Sequence, residues 1–383
     1  MTQLAFRAPP IIPAAEELRE DVRAFLATEL RGRSAVARAE SWTGFDADFS
    51  RKMGERGWLG MTWPKQYGGH ERSAFERYVV IEEMLAAGAP VAAHWIGDRQ
   101  SGPTLLKFGN EAQKQAILPG IAAGRLTFCI GMSEPDAGSD LAATRTRAER
   151  TGDGWRITGT KVWTTNAHRA HFMILFCRTS GKPGDRQEGM SQLLVDLKNT
   201  SGITIKPIID LAGAHHLNEV HFDGAVVPHD ALLGEEGEGW HQVMSELAFE
   251  RSGPERFLSS FQLLVELIGV LQGSESDTAR GAVARLTAHL LVLRRLSRSV
   301  AGMLEAGENP ALHAAIVKDQ GALFEQSIPE IARAIYDAEP DANSTNAFDA
   351  VLANMLLNAP SWSLRGGTRE ILRGIIARGL GLR

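Results

Sequence analysis

The sequence predicts an α+β protein with an N-terminal α-helical domain, a central β-sandwich or barrel domain and a C-terminal four-helix-type bundle. Three observations predict it. Apolar residues recur at helical spacing up to about residue 125. From there to about residue 235, short runs rich in Ile, Val, Leu and Phe alternate with Gly, Asp and Pro turns. Beyond that, long amphipathic stretches return. The expected divisions are therefore 1–125, 126–235 and 236–383.

In the first part, Ala14–Leu30 carries Leu18, Val22, Phe25 and Leu26 on one helical face. Glu76–Ala87 is a second helix, with Tyr78, Val79, Ile81 and Met84 as its buried side. Gln113–Ala123 is a third, after the Gly109-Asn110 turn signal. Trp58–Gly69, with Pro64 and Gly68-Gly69, reads as loop. In the central part, Trp155–Trp163 reads as a strand, a Gly turn and another strand, and His171–Arg178, Ser191–Leu197 and Ile203–Ile209 read as short strands. The last part holds Trp240–Phe249, Phe257–Leu271, Ala279–Glu305, Pro310–Tyr336, Phe348–Leu357 and Thr368–Gly379 as helices, joined by polar Gly273–Thr278 and Ala338–Asn346.

Composition excludes several classes of function. The 383 residues are 44% hydrophobic and 23% charged, which rules out wholesale disorder. A net charge of −5 offers no electrostatic footprint for nucleic acid or an anionic membrane. The two cysteines, Cys129 and Cys177, fit no CxxC pattern and no HExxH is present, so neither a disulfide framework nor a metal site is expected. Residues 263–271 form one of the longest apolar runs, but Glu266 and Gly269 break it and it falls far short of the ~20 residues of a membrane span. Residues 1–17 lack a basic region leading into a long apolar core, so the expected location is the cytoplasm.

Four segments carry candidate chemistry. In Met132–Asp140, small residues let backbone N–H groups point at a ligand, and Ser133 and Ser139 add hydroxyls; the same residues also read as a capped surface turn. In Lys161–Asn166, Trp163 and Thr165, two apart on a strand, would share a face and hold a planar ligand; an aromatic core position is the alternative. Glu250 lies on the helix side defined by Val243, Leu247 and Phe257. A desolvated carboxylate there has a raised proton affinity, which suits a general base; a salt bridge to Arg251 or Arg256 reads equally well. Finally, Gly366-Gly367-Thr368 with Glu370 opens a helix whose first N–H groups can hold an anion or polarise a carbonyl, or simply join a loop to a helix.

Taken in order, these motifs give the sequence a resemblance to the acyl-CoA dehydrogenase family along nearly its whole length. Ser133–Asp140 resembles that family's Thr/Ser-Glu-Pro-x-Ala-Gly-Ser-Asp signature, Trp163-Thr164-Thr165-Asn166 its Trp-Ile-Thr-Asn strand, and Gly366–Ala377 its Gly-Gly-Thr-x-Glu-Ile-x-Arg helix. Asn110–Lys114 and Gly57–Gly60 also fit. The resemblance implies FAD, an acyl-CoA substrate and α,β-dehydrogenation, in which a base takes the α-proton and the β-hydride passes to flavin N5. Many members place the base where this chain has Gly366. A subgroup places it in the helix after the β domain, just before an Arg, which matches Glu250-Arg251. The resemblance thus makes Glu250 the base, leaves Gly366 N–H to polarise the thioester carbonyl, and assigns Met132, Ser133, Ser139, Trp163, Thr165, Thr368 and Glu370 to the cofactor. Ser139 and Arg251 are its substrate-binding residues.

Two departures from the family bear on partners. Homotetrameric members carry an Arg-x-x-Phe pair and a Gln-x-x-Gly-Gly stretch that reach a neighbouring subunit's FAD; residues 274–285 and 341–360 contain neither. The chain therefore resembles the catalytic subunit of the α2β2 acyl-CoA dehydrogenases of bacterial steroid side-chain degradation. That implies a second, dehydrogenase-like subunit, with a homo-oligomer as the alternative, and an electron-transfer flavoprotein as acceptor. Residues 212–218 resemble that subgroup too, and His215 and His216 are expected to be structural or pocket-wall residues. A non-catalytic scaffold subunit and an acyl-CoA oxidase are the competing readings.

Overall fold

Side chains that accept backbone N–H groups mark where many of the helices begin. The computed structural model describes residues 4–250 and 253–382, with the side chains of residues 183 and 246–250 outside the description. In chain order the first helices are α1 (Pro13–Glu29), α2 (Ala35–Ala39), α3 (Ala47–Glu55), α4 (Ala74–Ala86), α5 (Gly102–Phe108) and α6 (Glu111–Ala122). The strands are β1 (Phe128–Gly131), β2 (Arg147–Thr151), β3 (Gly154–Lys161), β4 (Phe172–Arg178), β5 (Met190–Asp196), β6 (Ile203–Ile208), β7 (Leu217–Val227) and β8 (Leu232–Leu233). Then come α7 (Gly239–Glu250), α8 (Phe261–Val270), α9 (Asp277–Glu305), α10 (Ala311–Ile335), α11 (Ala347–Trp362) and α12 (Arg369–Gly379). Ser73 with Glu76, and Asn110 with Gln113, form reciprocal capping boxes at α4 and α6, and Thr368 caps α12. Among the described residues no helix is long and apolar enough to cross a membrane.

The chain folds into two compact units, each drawn from separate stretches of sequence. One comprises residues 1–45, 72–91 and 248–383. In it, α1 buries Leu18, Val22, Phe25 and Leu26, the face its periodicity predicts, and α4 buries Tyr78, Val79 and Met84 with Ile81 half-buried. Arg19 is buried with them and donates to Glu16, Glu82 and Glu83, while Arg294 of α9 donates to Glu82 at 2.7 Å. The long helix α10 packs against α8, α9, α11 and α12.

The other unit comprises residues 46–71 and 92–247. Its strands form one eight-stranded mixed sheet in the order β6-β7-β3-β2-β4-β5-β8, with β1 beside β4. Only the pair Arg147↔Arg178 joins β2 to β4, so the sheet is nearly divided there. Both halves nevertheless contribute to one core: Trp155, Ile157, Val220 and Phe222 from one side, Met173, Leu175, Cys177, Leu193 and Val195 from the other. The opposite face of β4 is covered too, since Ile174 packs with Trp63, Leu118 and Ile121. Burial on both faces explains why β4 reads as an unbroken apolar run. Trp58–Gly69 is loop around one short 3-10 turn, but its Trp58, Leu59, Met61, Trp63 and Tyr67 are buried.

One expected feature is different. Residues 155–163 are not two strands around a Gly turn: β3 runs unbroken through Gly159, with its register to β7 shifting between Ile157 and Thr158. Gly159 has φ +144, and a Cβ there would lie 2.7 Å from Thr146 Cα, so the glycine serves a closely approached strand and not a reversal, while the extra residue at the register shift is Gly224 of β7.

Candidate active site

The loop after β1 is fastened from beneath by a buried ion pair. Lys161, the last residue of β3, is fully buried; its Nζ donates to Glu134 Oε1 at 2.8 Å and to the Met132 carbonyl at 2.9 Å. Glu134 also accepts the backbone N–H groups of Arg145 (2.7 Å) and Thr146 (2.9 Å). Burial alone would raise the Glu134 pKa, but Lys161 and these donors outweigh it and hold the carboxyl below the usual range. Glu134 and Ala137 exchange backbone hydrogen bonds, closing a tight turn that leaves Ser139 exposed. The Met132 side chain packs against the cluster of Phe176, Met190 and Val243. Val162 N–H donates to the Ser133 carbonyl at 2.9 Å, which sets Met132 and Ser133 beside the end of β3.

Trp163 and Thr165 are not on a strand. Their segment follows β3 as a turn in which Trp163 has φ +60 and Asn166 φ +56. The alternation that would put the two side chains on one face therefore does not apply. The backbone conformation is instead imposed from β7. Asn218, fully buried, donates from Nδ2 to the Thr164 carbonyl (2.9 Å), and its own carbonyl accepts Thr164 N–H (3.0 Å). Asn218 Oδ1 accepts from His215 Nε2 (2.9 Å) and His168 Nδ1 (3.1 Å), and those two rings stack with centroids 4.0 Å apart. The His216 carbonyl accepts Asn166 N–H at 2.7 Å. Burial lowers the His216 pKa, opposed by Asp210 3.3 Å away. His215 and His216 thus brace the turn.

What the brace holds outward is a 58% exposed indole and the half-buried Thr165. Beneath them the fully buried Asn166 amide has both Oδ1 and Nδ2 unpartnered among the described residues, as is Thr164 Oγ1. An exposed aromatic plane beside the half-buried Thr165 hydroxyl fits a flat group with polar edges, such as the flavin that the sequence resemblance implies. Neither cysteine offers alternative chemistry: both are buried, and burial raises both thiols, Cys177 to about 12.

The remaining expected residues lie in the first unit. Gly366 and Gly367 have φ +68 and +91, which favours glycine, and the Gly366 position carries no carboxylate. Thr368 Oγ1 accepts Ile371 N–H at 3.5 Å. The exposed Glu370 carboxylate accepts its own N–H and the Thr368 hydroxyl, which lowers its pKa. Both residues already serve the start of α12. The Glu250 side chain and Arg251 lie outside the described residues. Sequence reading assigns no role to Lys161, Asn218 or His168. One signal was available: Trp155, Ile157, Gly159 and Lys161 share strand parity, so the lysine falls on an inward-facing position.

The chain matches the family profiles described as "Acyl-CoA dehydrogenase, N-terminal domain" over residues 13–125 and "Acyl-CoA dehydrogenase, middle domain" over residues 129–225. It is 32% identical to the acyl-CoA dehydrogenase IpdE1 of Mycobacterium tuberculosis, covering 96% of this chain and 97% of that one. Among solved structures, the Tcur3481-Tcur3483 steroid ACAD matches with a TM-score of 0.87 at 29% identity, over 99% of this chain and 100% of the other. The ChsE4-ChsE5 complex from Mycobacterium tuberculosis matches with a TM-score of 0.85 at 30% identity, over 98% and 99%.

Proposed function

This chain belongs to the acyl-CoA dehydrogenase family, and on that premise we propose that it is the base-bearing subunit of a flavin-dependent α2β2 complex acting on bulky, steroid side-chain-like acyl-CoA thioesters. The observation that carries the reading is the pairing of Ser133 with Val162, which joins the Met132–Asp140 loop to the braced Trp163–Asn166 turn. The steroid and two-subunit parts are supported by the names of the similar structures, a steroid ACAD and a two-protein complex.

In this reading Met132 and Ser133 would hold the pyrimidine edge of FAD, Trp163 would flank its ring system, Thr165 would bond it near N5, Ser139 would serve its pyrophosphate, and Thr368 and Glu370 its ribose and adenine end. When bound, FAD would supply the acceptor for the hydrogen and electron pair that leave the β-carbon. The Glu250 carboxylate takes the α-proton. Gly366 N–H donates to the thioester carbonyl oxygen, stabilising the negative charge that develops there. Ser139 and Arg251 bind the CoA ester. An electron-transfer flavoprotein would be the electron acceptor, and the proposed location of the complex is the cytoplasm. The division of the chain at about residues 125 and 235 belongs to the same proposal.

The first test is the visible spectrum of the purified chain, alone and co-expressed with a dehydrogenase-like partner, with the mass of each sample. Flavin only in the mixed complex is expected. Flavin on the chain alone would indicate a homo-oligomer, and none in either sample would favour a scaffold. In the flavin-bearing complex, Glu250→Gln is expected to keep flavin and ligand but stop bleaching by acyl-CoA. Normal bleaching would eliminate Glu250 as the base.

A further inference from the structure

We propose that one side of α10 is a positioning clamp for the two catalytic elements of this site, acting through Lys318, Asp319 and Glu325. The inference rests on the reading above, in which Glu250 is the base and Gly366 polarises the thioester. The three side chains are charged, yet each is more than nine-tenths buried. Each holds a different point of the connection between α11 and α12. Lys318 Nζ donates to the Trp362 carbonyl at 3.1 Å. Glu325 Oε2 accepts from Arg365 Nη2 at 2.7 Å. Asp319 Oδ1 accepts from Arg369 Nε at 2.8 Å. The three held residues bracket Gly366-Gly367, the most conformationally permissive pair in the connection.

The Glu325 node also reaches the segment that follows Glu250 in the chain. Glu325 Oε1 accepts Ser259 N–H at 2.8 Å, and Arg365 Nη2 donates to Ser259 Oγ at 2.6 Å. The Arg365 guanidinium lies 4.4 Å from the centre of the Trp42 ring, and that of Arg256 lies 5.5 Å from the same ring. One carboxylate thus ties the residue before Gly366 to Ser259, nine residues after the base in the chain. Buried ion pairs are poor stabilisers compared with apolar packing of the same volume. What this one supplies is a fixed relation between two backbone segments, because both carboxylate oxygens are committed, Oε1 to Ser259 N–H and Oε2 to Arg365 Nη2, and the same Nη2 also holds Ser259 Oγ. Lys318, Asp319 and Glu325 act on the reaction only through the backbone they hold.

The test uses the assembled, flavin-loaded complex and the fastest-bleaching thioester of a panel from butyryl-CoA to cholanoyl-CoA. Glu325→Gln is compared with Glu82→Gln, which breaks a similarly buried ion pair elsewhere in the same unit. Glu325→Gln is expected to slow bleaching about 10- to 100-fold with thioester affinity held within about threefold, the signature of misplaced groups. It should also speed amide exchange at Gly366 and Gly367, a readout that needs no flavin. Glu82→Gln should lose comparable thermal stability and change neither. Arg365→Lys keeps the charge but not the reach of Nη2 to both Glu325 and Ser259, and should show the same split if Glu325→Gln does not fold. Rates that fall in step with stability in both variants overturn the clamp. So does normal bleaching by Glu325→Gln beside an inactive Glu250→Gln, which spares the parent reading. Normal bleaching by Glu250→Gln removes the parent reading and the clamp with it.

Discussion

Replacing Lys161 by Met should detach the Met132–Asp140 loop from the sheet without altering any residue expected to touch a ligand. The methionine fills much of the lysine's volume, but the Met132 carbonyl loses a donor and the Glu134 carboxylate the one cation within 4 Å among the described residues. Breaking a buried ion pair by removing one partner costs about 3–5 kcal/mol. Arg145 and Thr146 N–H still solvate Glu134, so the lower figure, about 3 kcal/mol, is expected. For a folding unit of this size that corresponds to roughly 6–12 °C in the thermal midpoint. The double variant Lys161→Met/Glu134→Gln removes the stranded charge and should recover most of the loss. The sign with pH follows from the depressed Glu134 pKa. The stabilisation is present above the unfolded carboxyl pKa and lost as pH falls through the lower folded value, so the wild-type advantage should shrink in acid. Thermal unfolding of the single and double variants at neutral and acid pH measures all of this. A single variant within 2 °C of wild type, or a double variant no better than the single one, would refute the reasoning.

Two further variants separate contact from support at the Trp163 turn. Trp163→Ala should weaken FAD retention by up to about tenfold, as loss of a stacked ring implies, while leaving the midpoint almost unmoved because the indole is exposed. Unchanged retention in a correctly assembled complex would count against its flavin role. Asn218→Ala should destabilise by about 1–3 kcal/mol, since it strands the Thr164 carbonyl and both histidines. It should also speed amide exchange at Thr164 and Asn166; protection equal to wild type there would show that the turn holds its shape without the brace.

Much of the fold was legible because helices announce themselves through local chemistry. The α1 face, the Gly109-Asn110 turn signal before α6 and the Thr368 start are written in neighbouring residues, so no distant contact is needed to find them. The short strands were less so. β1 has four residues and β8 two, too few to show a period, and β7 went unread although it pairs with β3 along most of that strand's length. Gly159 reads locally as a turn; only its distance from Thr146, brought close by the β2–β3 pairing, makes it a strand residue.

The site divides in the same way. Ser133, Trp163, Thr165, Gly366 and Thr368 stood out by residue type and spacing, because a motif is a one-dimensional pattern and the family's motifs persist here. Sequence alone therefore determined the family, the order of helical and β segments and the identity of the candidate residues. Tertiary structure decided what holds them: that Lys161 ends its strand under the Met132 carbonyl, that Asn218 shapes the Trp163 turn, and that Glu325 of α10 ties Arg365 to Ser259. Such bonds join residues far apart in the chain, and their strength comes from the exclusion of water around them. Both conditions exist only once the chain has folded.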